Sequence, residues 1–203
     1  MRELGFAVIL EDEIDGAAML RRLERAGRTC YKSEGRITAE SAPRFVAMLL
    51  KSGHESVLEH EKVTLRLICD RGVTHEIVRH RIGSYSQEST RYCNYGGEKF
   101  GREITCIRPG FWSEDDPRMA IWRHAMFQAE QAYFDLLDAG ASPQEARSVL
   151  PNSLKTEIVV TYNLREWRHF LRLRMSPAAH PQIRELSTEI QRVLREKIPV
   201  VFD

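Results

Sequence analysis

The chain predicts an α+β fold: one domain over residues 1–203, with a mainly antiparallel sheet flanked by long helices. Three observations predict it. Val63, Leu65, Leu67 and Cys69 alternate with Lys62, Thr64, Arg66 and Ile68, the two-residue period of a half-buried strand. Thr156 to Tyr162 is rich in β-branched residues and reads as another strand. Apolar stripes at helical spacing, Trp122, Ala125, Ala129, Tyr133, Leu136 and Ile183, Leu186, Ile190, Val193, Leu194, mark two long helices. Short strands mixed with long helices, without a regular βαβ alternation, give the α+β class. At 203 residues the chain is long for a core of one domain and short for two.

The remaining elements follow in order. Phe6 to Leu10 reads as a first strand, then a helix runs from about Ile14 to Ala26 and Gly27 ends it. Thr38 is placed as the N-cap of a second helix that reaches Ser52, with Gly53 as its stop. From Val73 the period changes, and a helix carries the chain to about Arg81. Tyr85 to Tyr92 and Glu103 to Arg108 read as extended. Asp116-Pro117 opens the first long helix as a cap followed by proline at the first turn, and Gly140 closes it. Ser142-Pro143-Gln144-Glu145 is a capping box, and Asn163-Leu164-Arg165-Glu166 repeats the pattern of a cap with an acid three residues on. A last helix covers Pro181 to Lys197.

Lys plus Arg number 30 against 29 Asp plus Glu, a net charge of +1. A chain built to hold a nucleic-acid backbone carries a clearer basic excess, so its arginine clusters point to smaller anions. Hydrophobic residues at 42% and charged residues at 29% are ordinary for a soluble globular protein. No apolar run is long enough for a bilayer, and the opening Met1 to Phe6 carries acid early and lacks a signal-like region, so a cytoplasmic location is expected, with no membrane partner. Four scattered cysteines without a CxxC pair read as reduced thiols.

The chemistry concentrates between Arg79 and Arg91, where Arg79-His80-Arg81 is followed seven residues later by Ser89-Thr90-Arg91. Guanidinium forks suit phosphate and carboxylate oxygens. In an extended backbone Ser89 and Arg91 point to one side and suit one anion. Arg174 ends the stripe Leu164, Trp167, Phe170, Leu171, where a charge must find a partner or reach water. Arg165 and His169 lie on another face beside Asn163, and Arg147 follows the capping box; by themselves all three read as solvated. His54-Glu55-Ser56-Val57-Leu58-Glu59-His60 has its histidines six apart with no HExxH pair, so no metal site is expected there.

The RHR, seven residues, Ser-x-Arg pattern resembles the signature of the flavin-dependent thymidylate synthases. Asn163-x-Arg165, Arg174, Arg147 in Arg-x-x-Leu-Pro, and the His54 to His60 stretch resemble further segments of that family. The resemblance implies FAD as cofactor and NADPH and 5,10-methylenetetrahydrofolate as co-substrates. Deoxyuridylate (dUMP) would accept the one-carbon unit, giving thymidylate (dTMP) and tetrahydrofolate. It implies a homotetramer with sites shared between subunits, the Ser89 to Arg91 segment reaching a neighbour's nucleotide. The flavin residues it implies are Ser56, Arg79, His80, Arg81, Gln87, Asn163, Arg165 and His169, with Glu59 nearby. The nucleotide residues are Glu76, Arg79, Gln87, Glu88, Ser89, Thr90, Arg91, Arg147 and Arg174. Arg174 is the catalytic one, a cation against the pyrimidine that favours ionisation at N3. The family uses no enzyme nucleophile, which makes Cys93, the thiol nearest the motif, a bystander. Glu76 departs from the glutamine common at that position and cannot donate as an amide does. Gln87 and Glu88 stand in the order acid and amide take elsewhere reversed, leaving open which one meets ligand. The competing class is a non-catalytic anion- or RNA-binding module using Arg165, Arg168, Arg172 and Arg174 with Trp167 for stacking; the near-neutral charge argues against it.

Overall fold

The computed structural model describes residues 1–203. Strands β1 (Arg2–Leu4) and β2 (Ala7–Leu10) lead into helices α1 (Gly16–Tyr31) and α2 (Ser41–Lys51). A 3-10 turn (Glu55–His60) precedes β3 (Lys62–Asp70), α3 (Arg71–Ile77), β4 (Ser84–Gln87) and β5 (Thr105–Ile107). Then come α4 (Pro117–Asp138), α5 (Pro143–Ala146), β6 (Lys155–Asn163), α6 (Leu164–Arg174), α7 (Pro181–Lys197) and α8 (Pro199–Phe202). Strands β2, β3, β6 and β4 hydrogen-bond in that order. Thr64 and Thr161 meet through hydroxyls 3.0 Å apart while the Arg71 N–H donates to the Leu154 carbonyl, so β3 and β6 run antiparallel. The fold is α+β, as expected. A separate two-stranded sheet is parallel, with Arg2 opposite Thr105 and Leu4 opposite Ile107.

The chain gathers into two compact units and crosses between them at several points, inside β3 and β6 among others. The first comprises Met1–Ala7, Leu67–Arg79 and Ser86–Ile158. Its core packs Met119, Trp122, Met126, Tyr133 and Phe134 of α4 against Tyr95, Ile104, Cys106 and Leu154. The inward stripe of α4 differs from expectation, because Ala125 is exposed while Met126 and Glu130 are buried. A carboxylate belongs there for a reason: Glu130 accepts from the Met1 amino group at 2.8 Å and from the Ile104 N–H at 3.0 Å.

The second unit comprises Val8–Arg66, His80–Tyr85 and Val159–Asp203. Tyr162, Trp167 and Phe170 form its aromatic centre, with Tyr162 and Trp167 ring centroids 4.6 Å apart. Ile183, Leu186, Ile190, Val193 and Leu194 of α7 are all buried, as the periodicity predicts. Helix α1 runs through Gly27 to Tyr31 instead of stopping there, and Lys32, at φ 48, closes it. Gly27 is a packing residue: a β-carbon on it would lie 2.8 Å from the Phe45 ring. Thr38 is not the cap of α2, which begins at Ser41, since the Ser41 hydroxyl accepts from the Thr38 N–H and ties down the preceding turn.

Caps at Asp116 and Asn163 stand where the sequence puts them, Asp116 accepting from the Arg118 N–H at 2.9 Å and Asn163 from the Glu166 N–H at 2.8 Å. Helix α3 is shorter than expected and ends at Ile77, which leaves Arg79-His80-Arg81 outside it. The Tyr85 hydroxyl captures the His80 carbonyl, and Gly83 lies so close to Tyr162 that a β-carbon would fall 2.3 Å from its ring. Both contacts demand a non-helical path. The extended segment Tyr85 to Tyr92 also falls short: β4 ends at Gln87, and Tyr92 and Cys93 donate back to the Ser89 carbonyl at 3.1 and 2.9 Å. Ser89 and Arg91 thus sit on a tight turn, not on one side of a strand. The Ser89 hydroxyl, accepting from the Arg91 N–H at 3.3 Å, supports that turn.

Candidate active site

Helix α6 organises the chemistry of the second unit. Its period sends Trp167, Phe170 and Leu171 into the core and turns Arg165, His169 and Arg172 the other way. With Asn163, Glu55, Glu59 and Ile82 they line an open groove of about 360 Å³. Arg165 pairs with Glu59, and Arg172 donates to the His169 Nδ1 at 3.1 Å. Arg165 and Glu59 are about half exposed, and solvent screens such a pair so that it adds little to stability. An anionic ligand can therefore take the guanidinium over at little cost. Ser56 is exposed on the 3-10 turn that also carries Glu55 and Glu59.

At the groove's Glu166 wall a chain of three groups begins, of which His80 and Glu166 are buried and Arg174 is half-buried. His80 Nδ1 stands 2.7 Å from Glu166 Oε1, and Arg174 Nε donates to His80 Nε2 at 3.1 Å. An arginine only donates, so His80 Nε2 must hold a lone pair; Nδ1 then carries the proton and donates to the carboxylate. The imidazole is neutral. Burial lowers the His80 pKa, with Arg174 and His169 acting the same way and the Glu166 hydrogen bond opposing. Tyr162 and Phe170 pack on the ring, at centroid distances of 6.1 and 4.9 Å, and the Tyr85 hydroxyl lies 2.8 Å from that of Tyr162.

His80, Glu166 and His169 also bring three metal-binding groups within 4.8 Å of one another. Both His80 nitrogens are already engaged, however, and a guanidinium occupies the lone pair a cation would need.

A neutral buried histidine has a consequence for stability. Its folded pKa lies below the unfolded value of 6.5, so below that pH the unfolded chain binds the proton the native chain refuses. The contribution is complete above pH 6.5 and is lost as pH falls towards the depressed folded value. Urea midpoints should therefore drop between pH 7 and 5, and His80→Asn should flatten that part of the curve; parallel curves for the two proteins would contradict the assignment.

Apart from Arg81, the other sequence-predicted residues belong to the first unit. Gln87 Nε2 donates to the Thr74 and Thr156 hydroxyls at 3.0 and 3.3 Å. Glu88 accepts from the Tyr95 hydroxyl at 3.0 Å and from Lys155 at 3.1 Å. Thr90 is buried, whereas Arg79, Arg91 and Arg147 are exposed, the Arg91 guanidinium lying 5.5 Å from the Tyr92 ring centre. Glu76 is half-buried on α3. Arg81, in the second unit, is exposed.

The sequence missed Glu166, Tyr85 and Tyr162. Glu166 occupies the position of a capping acid, which hid its turn towards His80; Tyr162 ends an alternating strand on the inward register, the one signal available. The RNA-module reading is overturned at its stacking residue. Trp167 is fully buried and donates from Nε1 to the Val63 carbonyl at 3.0 Å, so no base can reach its face.

Comparison with known proteins gives the family. A family model described as "Thymidylate synthase complementing protein" matches residues 15–200. The chain is 38% identical to the flavin-dependent thymidylate synthase of Geobacter sulfurreducens, over 87% of this chain and 78% of that one. It is 38% identical to that of Mycolicibacterium gilvum over 94% and 80%, and 34% identical to that of Corynebacterium glutamicum over the same shares. With a family match over nearly its whole length and relatives this similar, the chain belongs to the flavin-dependent thymidylate synthases, enzymes of thymidylate synthesis.

Proposed function

We propose that the protein converts dUMP, 5,10-methylenetetrahydrofolate and NADPH into dTMP, tetrahydrofolate and NADP, using FAD. Flavin, when bound, supplies the hydride that turns the transferred methylene into a methyl group, and NADPH restores it. The donor chemistry of the groove fits such a cofactor: open cations at Arg165 and Arg172, an amide at Asn163 and an imidazole at His169 suit phosphate and carbonyl oxygens. Ser56, Arg79, His80, Arg81, Gln87, Asn163, Arg165 and His169 hold the cofactor. Glu76, Arg79, Gln87, Glu88, Ser89, Thr90, Arg91 and Arg147 hold the nucleotide.

Arg174 polarises the pyrimidine. A guanidinium facing N3 stabilises the deprotonated ring and moves electron density towards C5, where the one-carbon unit attaches. The protein needs no thiolate for this. Burial raises the Cys69 thiol pKa well above its usual range and lifts that of Cys106 to about 12, the reverse of what an enzyme nucleophile requires. The two units act as one functional domain over residues 1–203 and assemble as a cytoplasmic homotetramer with shared sites, no nucleic acid and no resident metal.

The observation that carries the reading is the coincidence on α6 of groove residues Asn163, Arg165 and His169 with Arg174, a guanidinium held on a neutral imidazole. The experiment is direct. Purified protein, FAD, NADPH, methylenetetrahydrofolate and dUMP are mixed anaerobically, and dTMP is measured by chromatography. Formation of dTMP that depends on every component is expected; its absence would overturn the reading.

A further inference from the structure

We propose that Glu166 is a positioning residue for turnover: through His80 it fixes the orientation of the Arg174 guanidinium. The inference rests on the role given to Arg174 above and gives the acid of the capping pattern a second part to play.

The geometry runs in one direction. The Glu166 carboxylate, buried at the start of α6, can only accept, so it selects the His80 tautomer with the proton on Nδ1. That tautomer leaves Nε2 with a lone pair aimed at Arg174 Nε. Were the proton on Nε2, two donors would face each other and the guanidinium would have to swing away. The ring itself has little freedom, since Tyr162, His169 and Phe170 surround it and the Tyr85 hydroxyl ties its carbonyl. The charged and titratable groups facing the imidazole are Glu166, His169 and Arg174, with the two tyrosine hydroxyls close by. The carboxylate thus acts as an orienting group does behind a metal-bound or catalytic histidine, with a guanidinium in place of the metal or nucleophile.

The capping geometry of α6 is compatible with this use. Asn163 caps the helix by accepting from the Glu166 backbone N–H at 2.8 Å, while the Glu166 side chain turns to His80 instead of completing a capping box. One residue supplies a backbone donor to the helix start and a side-chain acceptor to the relay.

Two measurements test the inference. In wild-type protein with ¹⁵N-labelled histidine, the His80 resonances, assigned by their loss in His80→Asn, should show Nδ1 protonated and Nε2 bare. A proton on Nε2 would overturn the proposal without any variant of Glu166. In Glu166→Gln, whose amide can also donate to the ring, the pure Nδ1–H signature should be lost. The kcat for dTMP should fall about 10–100-fold. The KM for dUMP and the bound-flavin spectrum should change little, and the circular-dichroism spectrum should stay native. The effect of Glu166→Gln should also shrink to less than about threefold when Arg174→Lys is already present, because the residue acts through that guanidinium. Full turnover in Glu166→Gln, or a loss that multiplies undiminished with Arg174→Lys, would overturn it. A wild type that makes no dTMP at all while keeping the Nδ1–H tautomer would instead sink the functional reading beneath it.

Discussion

Arg174→Ala is expected to slow dTMP formation about 10²–10³-fold, the usual loss when one preorganised charge at a reacting centre is removed. The residue sits half-buried in the last turn of α6, with Nε on His80. That hydrogen bond holds the guanidinium in a defined orientation. A charge held this way needs no reorganisation when negative charge grows on the pyrimidine, and that is the source of its rate effect. Arg174→Lys should recover little, because a lysine has no planar fork to share between the imidazole and a ring edge. Single-turnover measurements under anaerobic conditions, with flavin absorbance and circular dichroism monitored beside them, would read the effect. A rate within about threefold of wild type would remove Arg174 from the chemistry.

Much of the frame that carries these groups is legible in the residues. The alternation of Val63, Leu65, Leu67 and Cys69 gives β3, and Asp116-Pro117 and Asn163 give the starts of α4 and α6, because each depends on local geometry alone. What the sequence misplaces depends on distant partners. Gly27 has the look of a helix stop, yet its missing β-carbon serves the approach of Phe45 from α2. Glu130 has the look of a surface residue, yet it neutralises the chain's own amino terminus. Ser89 and Arg91 have the look of a strand pair, but a serine hydroxyl offered to a backbone N–H two residues on makes a turn instead.

The site divides along the same line. Arg165, His169 and Asn163 are readable as neighbours from the helical period, and the structure places them on one groove. Their chemical purpose came from resemblance to a family, not from spacing. Glu166 was invisible for a physical reason: an acid three residues after an asparagine cap is an ordinary helix start, and only the fold brings His80, 86 positions earlier, against it.

Trp167→Ala should cost about 3–5 kcal/mol of stability, enough to threaten the second unit's fold. Trp167 is fully buried, packs at a tilt on Tyr162 and meets Phe170 edge-on at 5.7 Å, and its indole N–H satisfies the Val63 carbonyl at the start of β3. Alanine would leave a cavity beside Tyr162 and an acceptor without its donor, two penalties that add. The ring also supports the site, because Tyr162 and Phe170 are the surfaces against which His80 lies. Loss of activity in this variant should therefore follow loss of structure, with the urea midpoint and flavin binding falling together. Trp167→Phe keeps an aromatic face but loses the N–H and one ring's volume, so it should cost less than alanine, about 1–3 kcal/mol, and retain most turnover. Denaturation curves on the two variants read the effect, and an unfolding midpoint unmoved by Trp167→Ala would contradict the packing on which the orientation of His80 depends.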